Sequence, residues 1–268
     1  MLGLIIFIFG LMIGSFLNVC IYRLPKGESL VKPRSYCPDC KKPILWYDNI
    51  PLLSYILLKG RCRFCKKKIP FQYFLVELLT GLLFVLLFRR YKLSFDFIFS
   101  VVFGCGLIVA TFVDIKHRII PDEVSLGGIF VGFFFNLLRF LFIKPFDYRS
   151  ILDSFLGILV GGGSIYITGI AFDFIYFRLL KRPPIDGETE SMGFGDVKFL
   201  AMIGAFLGWQ SALLTFLIAP IVGTVFGLFS LIITKRHTIP YGPFLSIAAF
   251  VSMLWAKSII NFYLRVWQ

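Results

Sequence analysis

Apolar residues run almost unbroken through eight stretches of the chain, at roughly 2–22, 70–88, 94–115, 123–143, 151–177, 196–209, 211–234 and 243–264. Most approach the ~20 residues a helix needs to cross about 30 Å of hydrocarbon. The pattern predicts an all-α polytopic membrane protein, a bundle of about eight transmembrane helices. The sixth stretch is short, and its boundary with the seventh, at Gly208-Trp209-Gln210, is the least sharply marked. The opening stretch has no basic flank before it and is too long for the apolar part of a leader peptide, so it reads as a first membrane helix. Between the first and second stretches the pattern breaks into a polar segment. The predicted organisation is therefore a first helix over 1–22, a cytoplasmic domain over 23–69 inserted after it, and a membrane bundle over 70–268.

Composition agrees with the pattern. Hydrophobic residues make up 58% of the chain and mean hydropathy is +0.84, more apolar surface than one soluble core buries. The net charge of +13 would raise the question of nucleic acid on a soluble protein. Here twelve Lys and Arg against three acids (Glu28, Asp39, Asp48) lie between Arg23 and Lys68. A basic loop beside a membrane helix is retained in the cytoplasm and attracts anionic lipid. No nucleic-acid-binding motif presents the charge, so the partners expected are the lipid bilayer and not nucleic acid. With this loop in the cytoplasm, Lys116-His117-Arg118, Arg178 to Arg182 and Lys235-Arg236-His237 fall on the same side, while Arg89, Arg90, Lys92, Lys144, Arg149 and Arg265 fall on the other.

The basic loop carries Cys37-Pro38-Asp39-Cys40 and Cys62-Arg63-Phe64-Cys65. Two Cys-x-x-Cys pairs about twenty residues apart have the spacing of a four-thiolate zinc site. Neighbouring Lys and Arg favour thiolates, and the metal supplies folding energy that a loop this small lacks. Disulfides are the other reading, and a reducing cytoplasm opposes them. Four thiolates leave no open position on the metal, so the expected Zn2+ is structural.

Acids inside membrane segments are costly and mark function. Asp114 closes the run Ile108 to Val113 near a helix C-terminus, where the helix dipole disfavours a negative charge. Pairing with Lys116 or Arg118 is its bland reading. Asp196 ends Gly193-Phe194-Gly195-Asp196 and opens the next apolar stretch, where an N-cap would also use an aspartate. The two glycines leave bare backbone that an extended peptide could approach. Glu77 lies well inside an apolar helix and is expected to face the bundle or a watered cavity. Asp114 and Asp196 both fall at the cytoplasmic membrane face. Two carboxylates brought together share a proton, one acting as base on water while the other polarises a carbonyl.

These residues, taken in order, resemble a known family. Gly14-Ser15-Phe16-Leu17-Asn18-Val19 with Tyr22-Arg23-Leu24-Pro25, the paired cysteine loop, Asp114 to Asp122, Gly193 to Lys198, and Ile239-Pro240-Tyr241-Gly242-Pro243-Phe244 are similar to the motifs of bacterial type IV prepilin peptidases. The resemblance implies an intramembrane aspartic endopeptidase of the bacterial inner membrane with Asp114 and Asp196 as its catalytic pair. It implies Gly193, Gly195 and Lys198 as supporting residues and Asp122 as a neighbouring non-catalytic acid. The implied substrates are prepilins or type II secretion pseudopilins, cleaved after a Gly to remove a basic leader. Members with the cysteine loop typically also methylate the new N-terminus with S-adenosylmethionine. By analogy the methyl-transfer site is expected near Ser15, Asn18 and Arg23, which also read as helix-packing polar residues and an interfacial anchor. Asp186, Glu188 and Glu190, in the polar stretch before Asp196, are expected to receive the basic leader. Two alternatives remain: a peptidase alone, with the zinc domain docking substrate, and a transporter using the acids as a proton relay. The transporter leaves the cysteine pairs and the Gly-x-Gly-Asp turn without a role.

Overall fold

The computed structural model describes residues 1–143, 148–180, 193–234 and 240–266. Lys144, Arg182, Asp186, Glu188 and Glu190 and the Lys235-Arg236-His237 run lie outside the described residues. Among the described residues the elements are helical: α1 Leu2–Arg23, α2 Leu53–Leu57, α3 Phe71–Tyr91, α4 Phe95–His117, α5 Asp122–Leu138, α6 Arg149–Asp173, α7 Phe194–Leu207, α8 Trp209–Thr234 and α9 Gly242–Val266. α5 and α6 each continue into a π-helical stretch, Arg139–Ile143 and Phe174–Leu179. Seven of these helices are long and apolar enough to cross a membrane, which makes this a multi-pass membrane protein. The sixth apolar stretch is α7, whose 14 residues span only about 21 Å.

The chain forms two compact units, Met1–Val113 and Asp114–Gln268. In the first, α1 packs on α3 through small residues. A Cβ at Gly14 would stand 2.7 Å from the Cα of Glu77, and one at Gly10 would stand 2.9 Å from the Cα of Gly81. Close backbone approach of this kind is how membrane helices associate when lipid is as apolar as their own side chains.

In the second unit α7 packs against α5, α6, α8 and α9. Every residue from Phe199 to Phe206 is buried. Its crossing with α6 is backbone on backbone: side chains at Gly157 and Gly204 would each run into the other's carbonyl. A helix that stops short leaves carbonyls unpaired, which is expensive away from water. Near that end the Ala205 carbonyl accepts Ser154 Oγ–H at 2.7 Å and Asn136 Nδ2–H at 3.0 Å. Gly208 then turns the chain at φ +81°, a conformation that favours glycine. The short α7 is thus built to end inside the protein and to hold its first turn, which carries Asp196, in a fixed place.

Candidate functional site

The second unit brings the predicted aspartates together. Asp114, near the C-terminus of α4, is 6% exposed. Its Oδ2 accepts the backbone N–H of Gly242, the first residue of α9, at 2.8 Å. Asp196 is the third residue of α7, half-buried, and within electrostatic reach of Asp114. Tyr241 lies within reach of Asp196 in turn. Three helix ends therefore converge: the C-terminus of α4 and the N-termini of α7 and α9.

Gly242 enters the sequence reading only as part of the Ile239 to Phe244 motif, without a role of its own. It belongs to the Pro240-Tyr241-Gly242-Pro243 run, but its partner is 128 positions away. A Cβ there would stand 2.7 Å from Asp114 Oδ2 and 3.1 Å from its Cγ, closer than a real side chain and a carboxylate can sit. Glycine at 242 is required by the carboxylate it holds.

Gly193 and Gly195 differ. A Cβ at Gly193 would have its nearest neighbour 3.7 Å away, and one at Gly195 would meet Ile120 at 3.6 Å, both ordinary contacts. Neither residue has a positive φ. Among the described residues, packing requires no glycine at either place. Lys198 donates to Asp122 Oδ1 at 2.7 Å, tying the first turn of α7 to the start of α5. The N–H of Arg118 closes the end of α4 on the Asp114 carbonyl at 2.9 Å.

The first unit holds the cysteines. The sulfurs of Cys37, Cys40, Cys62 and Cys65 all lie within 4.8 Å of one another. The two hairpins repeat each other. Cys37 N–H bonds to the Lys42 carbonyl and Cys62 N–H to the Lys67 carbonyl, with Lys41 and Lys66 turning at φ 58° and 59°. A backbone hydrogen bond from Cys65 draws the Cys62 thiol down to about 7. For Cys65 a backbone hydrogen bond from Lys67 works downward, yet desolvation and the three neighbouring sulfurs push the thiol up to about 11. Four sulfurs this close together, presented by two matching hairpins, fit a tetrahedral thiolate metal centre.

Ser15, Asn18 and Arg23 also belong to the first unit. Asn18 donates to the Tyr73 carbonyl at 3.0 Å, and its buried Oδ1 has no hydrogen-bond partner among the described residues. Arg23 is 3% exposed and spends its guanidinium on the carbonyls of Ser29 and Pro33, both at 2.7 Å. It fastens the loop to α1. Glu77 is buried and accepts the Leu52 N–H at 2.8 Å. Its partner is the cysteine-bearing segment just before α2, a contact nothing in the local sequence signals.

Fold and site together define a multi-pass membrane protein with a four-cysteine metal-type module and a carboxylate pair at converging helix ends. Residues 8–91 match the bacterial peptidase A24 N-terminal domain, and residues 101–228 match the type IV leader peptidase family. Over 97% of its length the chain is 35% identical to the prepilin leader peptidase/N-methyltransferase of Aeromonas salmonicida, covering 93% of that protein. It is 31% identical to the protein of the same name from Legionella pneumophila, over 99% of the chain and 95% of the relative. The Pseudomonas aeruginosa protein of that name is 32% identical, over 96% and 91%. No solved structure matches the chain significantly. The chain belongs to the type IV leader peptidase family.

Proposed function

We propose that this protein cleaves the basic leader from prepilins or pseudopilins with Asp114 and Asp196, and methylates the new N-terminus with S-adenosylmethionine. The observation that carries the first activity is the meeting of the two carboxyls beside the bare Gly193–Gly195 backbone. Asp114 Oδ2 is occupied as an acceptor from Gly242, so a proton shared by the pair is carried on its other oxygen or on Asp196. The ionised carboxyl takes a proton from water as the water attacks the scissile carbonyl. The protonated carboxyl donates to the developing oxyanion. The nitrogen then leaves with a proton returned from the pair. The glycine turn gives an extended substrate room against the backbone. Cleavage is assigned to the bundle within 70–268, and the 23–69 module holds Zn2+ on its four cysteines. Module and aspartates both face the cytoplasm of the bacterial inner membrane, where a leader bearing positive charge is found.

Methyl transfer is assigned to the first unit. The methyl donor supplies the one-carbon group. Asn18 Oδ1, buried and without a protein partner among the described residues, offers an acceptor for the amine that receives it. Intact mass of a synthetic prepilin, incubated with purified protein and S-adenosylmethionine, tests both activities. Leader loss plus one methyl is the expected result. Leader loss alone selects the peptidase-only reading, and an unchanged mass removes both.

Gly242→Ala is expected to lower cleavage by about a hundredfold, the scale of a displacement near 1 Å in a reacting group. Turnover of the prepilin and the apparent melting temperature in detergent should be read together. A variant that cleaves at the native rate would show that Gly242 does not set the position of Asp114.

A further inference from the structure

The module between α1 and α3 has no helix long enough to cross a membrane, yet it presents apolar side chains to its surroundings. Leu53, Ile56 and Leu57 are 49, 60 and 71% exposed, and their spacing places them on one face of α2. The same helix is fixed at the point where α3 begins its apolar run. Tyr55 packs its ring 5.5 Å from Phe74 and 6.4 Å from Phe71, and its hydroxyl donates to the Ile69 carbonyl. Ile69 N–H bonds to the Gly60 carbonyl at 2.8 Å. The membrane-length apolar helix α3 begins at Phe71, so the Tyr55 contacts hold α2 beside the start of that run, with its apolar face uncovered among the described residues.

The charges beside it are uneven. Arg63 is paired with Asp48 and Lys67 with Asp39. Lys59, Arg61 and Lys66 have no acidic partner among the described residues. With Leu58 and Cys62 these three line a recess of about 340 Å³ immediately after α2. An apolar face at the boundary, followed at once by three unpaired cations around a recess, is complementary to one object: a lipid with an anionic head and an apolar tail. A free phosphate would leave the face of α2 in water, and a basic peptide would be repelled by the recess.

We propose that the metal module docks on its own leaflet, with an anionic phospholipid headgroup between Lys59, Arg61 and Lys66 and the Leu53–Ile56–Leu57 face among the acyl chains. This holds the module against the bilayer and does not depend on the catalytic reading. Each basic residue near an anionic surface contributes to such binding, and the three together should favour anionic over zwitterionic lipid by about tenfold or more.

The test uses the full-length, metal-loaded protein. Retention of phosphatidylglycerol against phosphatidylcholine is measured by native mass spectrometry for the native chain and for K59Q/R61Q/K66Q. In parallel, L57W is made the sole tryptophan by changing Trp46, Trp209, Trp255 and Trp267 to Phe. Its quenching is followed in nanodiscs whose bromine is carried on phosphatidylglycerol or on phosphatidylcholine. The expected result is a roughly tenfold loss of phosphatidylglycerol preference in the triple variant at unchanged metal content. Quenching should be stronger from bromine on the anionic lipid, and excess inorganic phosphate should leave it unchanged. Equal quenching from both lipids with an unshifted lipid preference would overturn the proposal. So would displacement by inorganic phosphate, or loss of prepilin binding by the triple variant in lipid-free detergent.

Discussion

Asparagine at either Asp114 or Asp196 is expected to leave prepilin uncleaved, a loss of at least about a thousandfold, the upper range for removing a positioned acid or base. The substitution changes little else. In Asp114→Asn the amide oxygen can still accept the Gly242 N–H that Asp114 Oδ2 takes at 2.8 Å, so the junction of α4 with α9 should persist. What disappears is the exchangeable proton, and with it both base and acid. Either variant alone should cost nearly as much as the pair, because groups that act as a unit are not additive. Asp122→Asn is the informative contrast. Asp122 is an acid in the same unit, but its carboxylate serves Lys198 at 2.7 Å, and its side chain is 60% exposed. Its loss should lower cleavage by less than about tenfold, the scale of an exposed pair. Rates for the three variants on one prepilin peptide decide the matter. Native-like cleavage by Asp114→Asn or Asp196→Asn would end the dyad assignment, and a total loss in Asp122→Asn would move the chemistry toward the α5–α7 bridge.

Much of this architecture was legible from hydropathy, because a membrane imposes one rule on every crossing segment. The boundaries of α1, α3, α4, α8 and α9 fall within a few residues of the apolar runs. The shortness of the 196–209 stretch was visible too. Its meaning was not: the carbonyl of Ala205 is relieved by Ser154 and Asn136, more than fifty residues away along the chain, and no local pattern encodes that. The aspartates and cysteines could be singled out because their chemistry is conspicuous where they stand. Gly242 could be picked out only as part of a motif, since the reason for it is a carboxylate on another helix. Arg23 and Glu77 show the same limit. Each was conspicuous as a charge, and each makes backbone hydrogen bonds to the loop after α1. The short α2 carries too few residues to give a periodic signal, so hydropathy leaves it inside a loop.

Removing the proposed Zn2+ is expected to separate the two activities proposed for the chain. Of residues 24–69, Cys37, Ser54 and Gly60 alone are buried, so the module has no apolar core that could keep it folded. Its order rests on the sulfur cluster, the Asp48–Arg63 and Asp39–Lys67 pairs, and the anchors supplied by Arg23 and Glu77. A structural zinc centre is worth roughly 10–16 kcal/mol in small zinc-dependent domains, far beyond what exposed ion pairs contribute. Chelation, or Cys37→Ser with Cys62→Ser, is therefore expected to unfold the module and to make it a target for proteolysis between α1 and α3. The aspartates sit in the other compact unit, Asp114–Gln268, and so do Gly242 and Tyr241, the groups that hold and neighbour them. Methylation should fall to background, while cleavage by the same sample stays within about tenfold of native, the range left by an indirect effect. Metal content, protease sensitivity and intact product mass, read on one preparation, give the answer. Full methylation by a metal-free, proteolysed module would remove methyl transfer from the first unit. Loss of cleavage in parallel with the metal would instead favour a module that delivers substrate to the aspartates, and the peptidase-only reading with it.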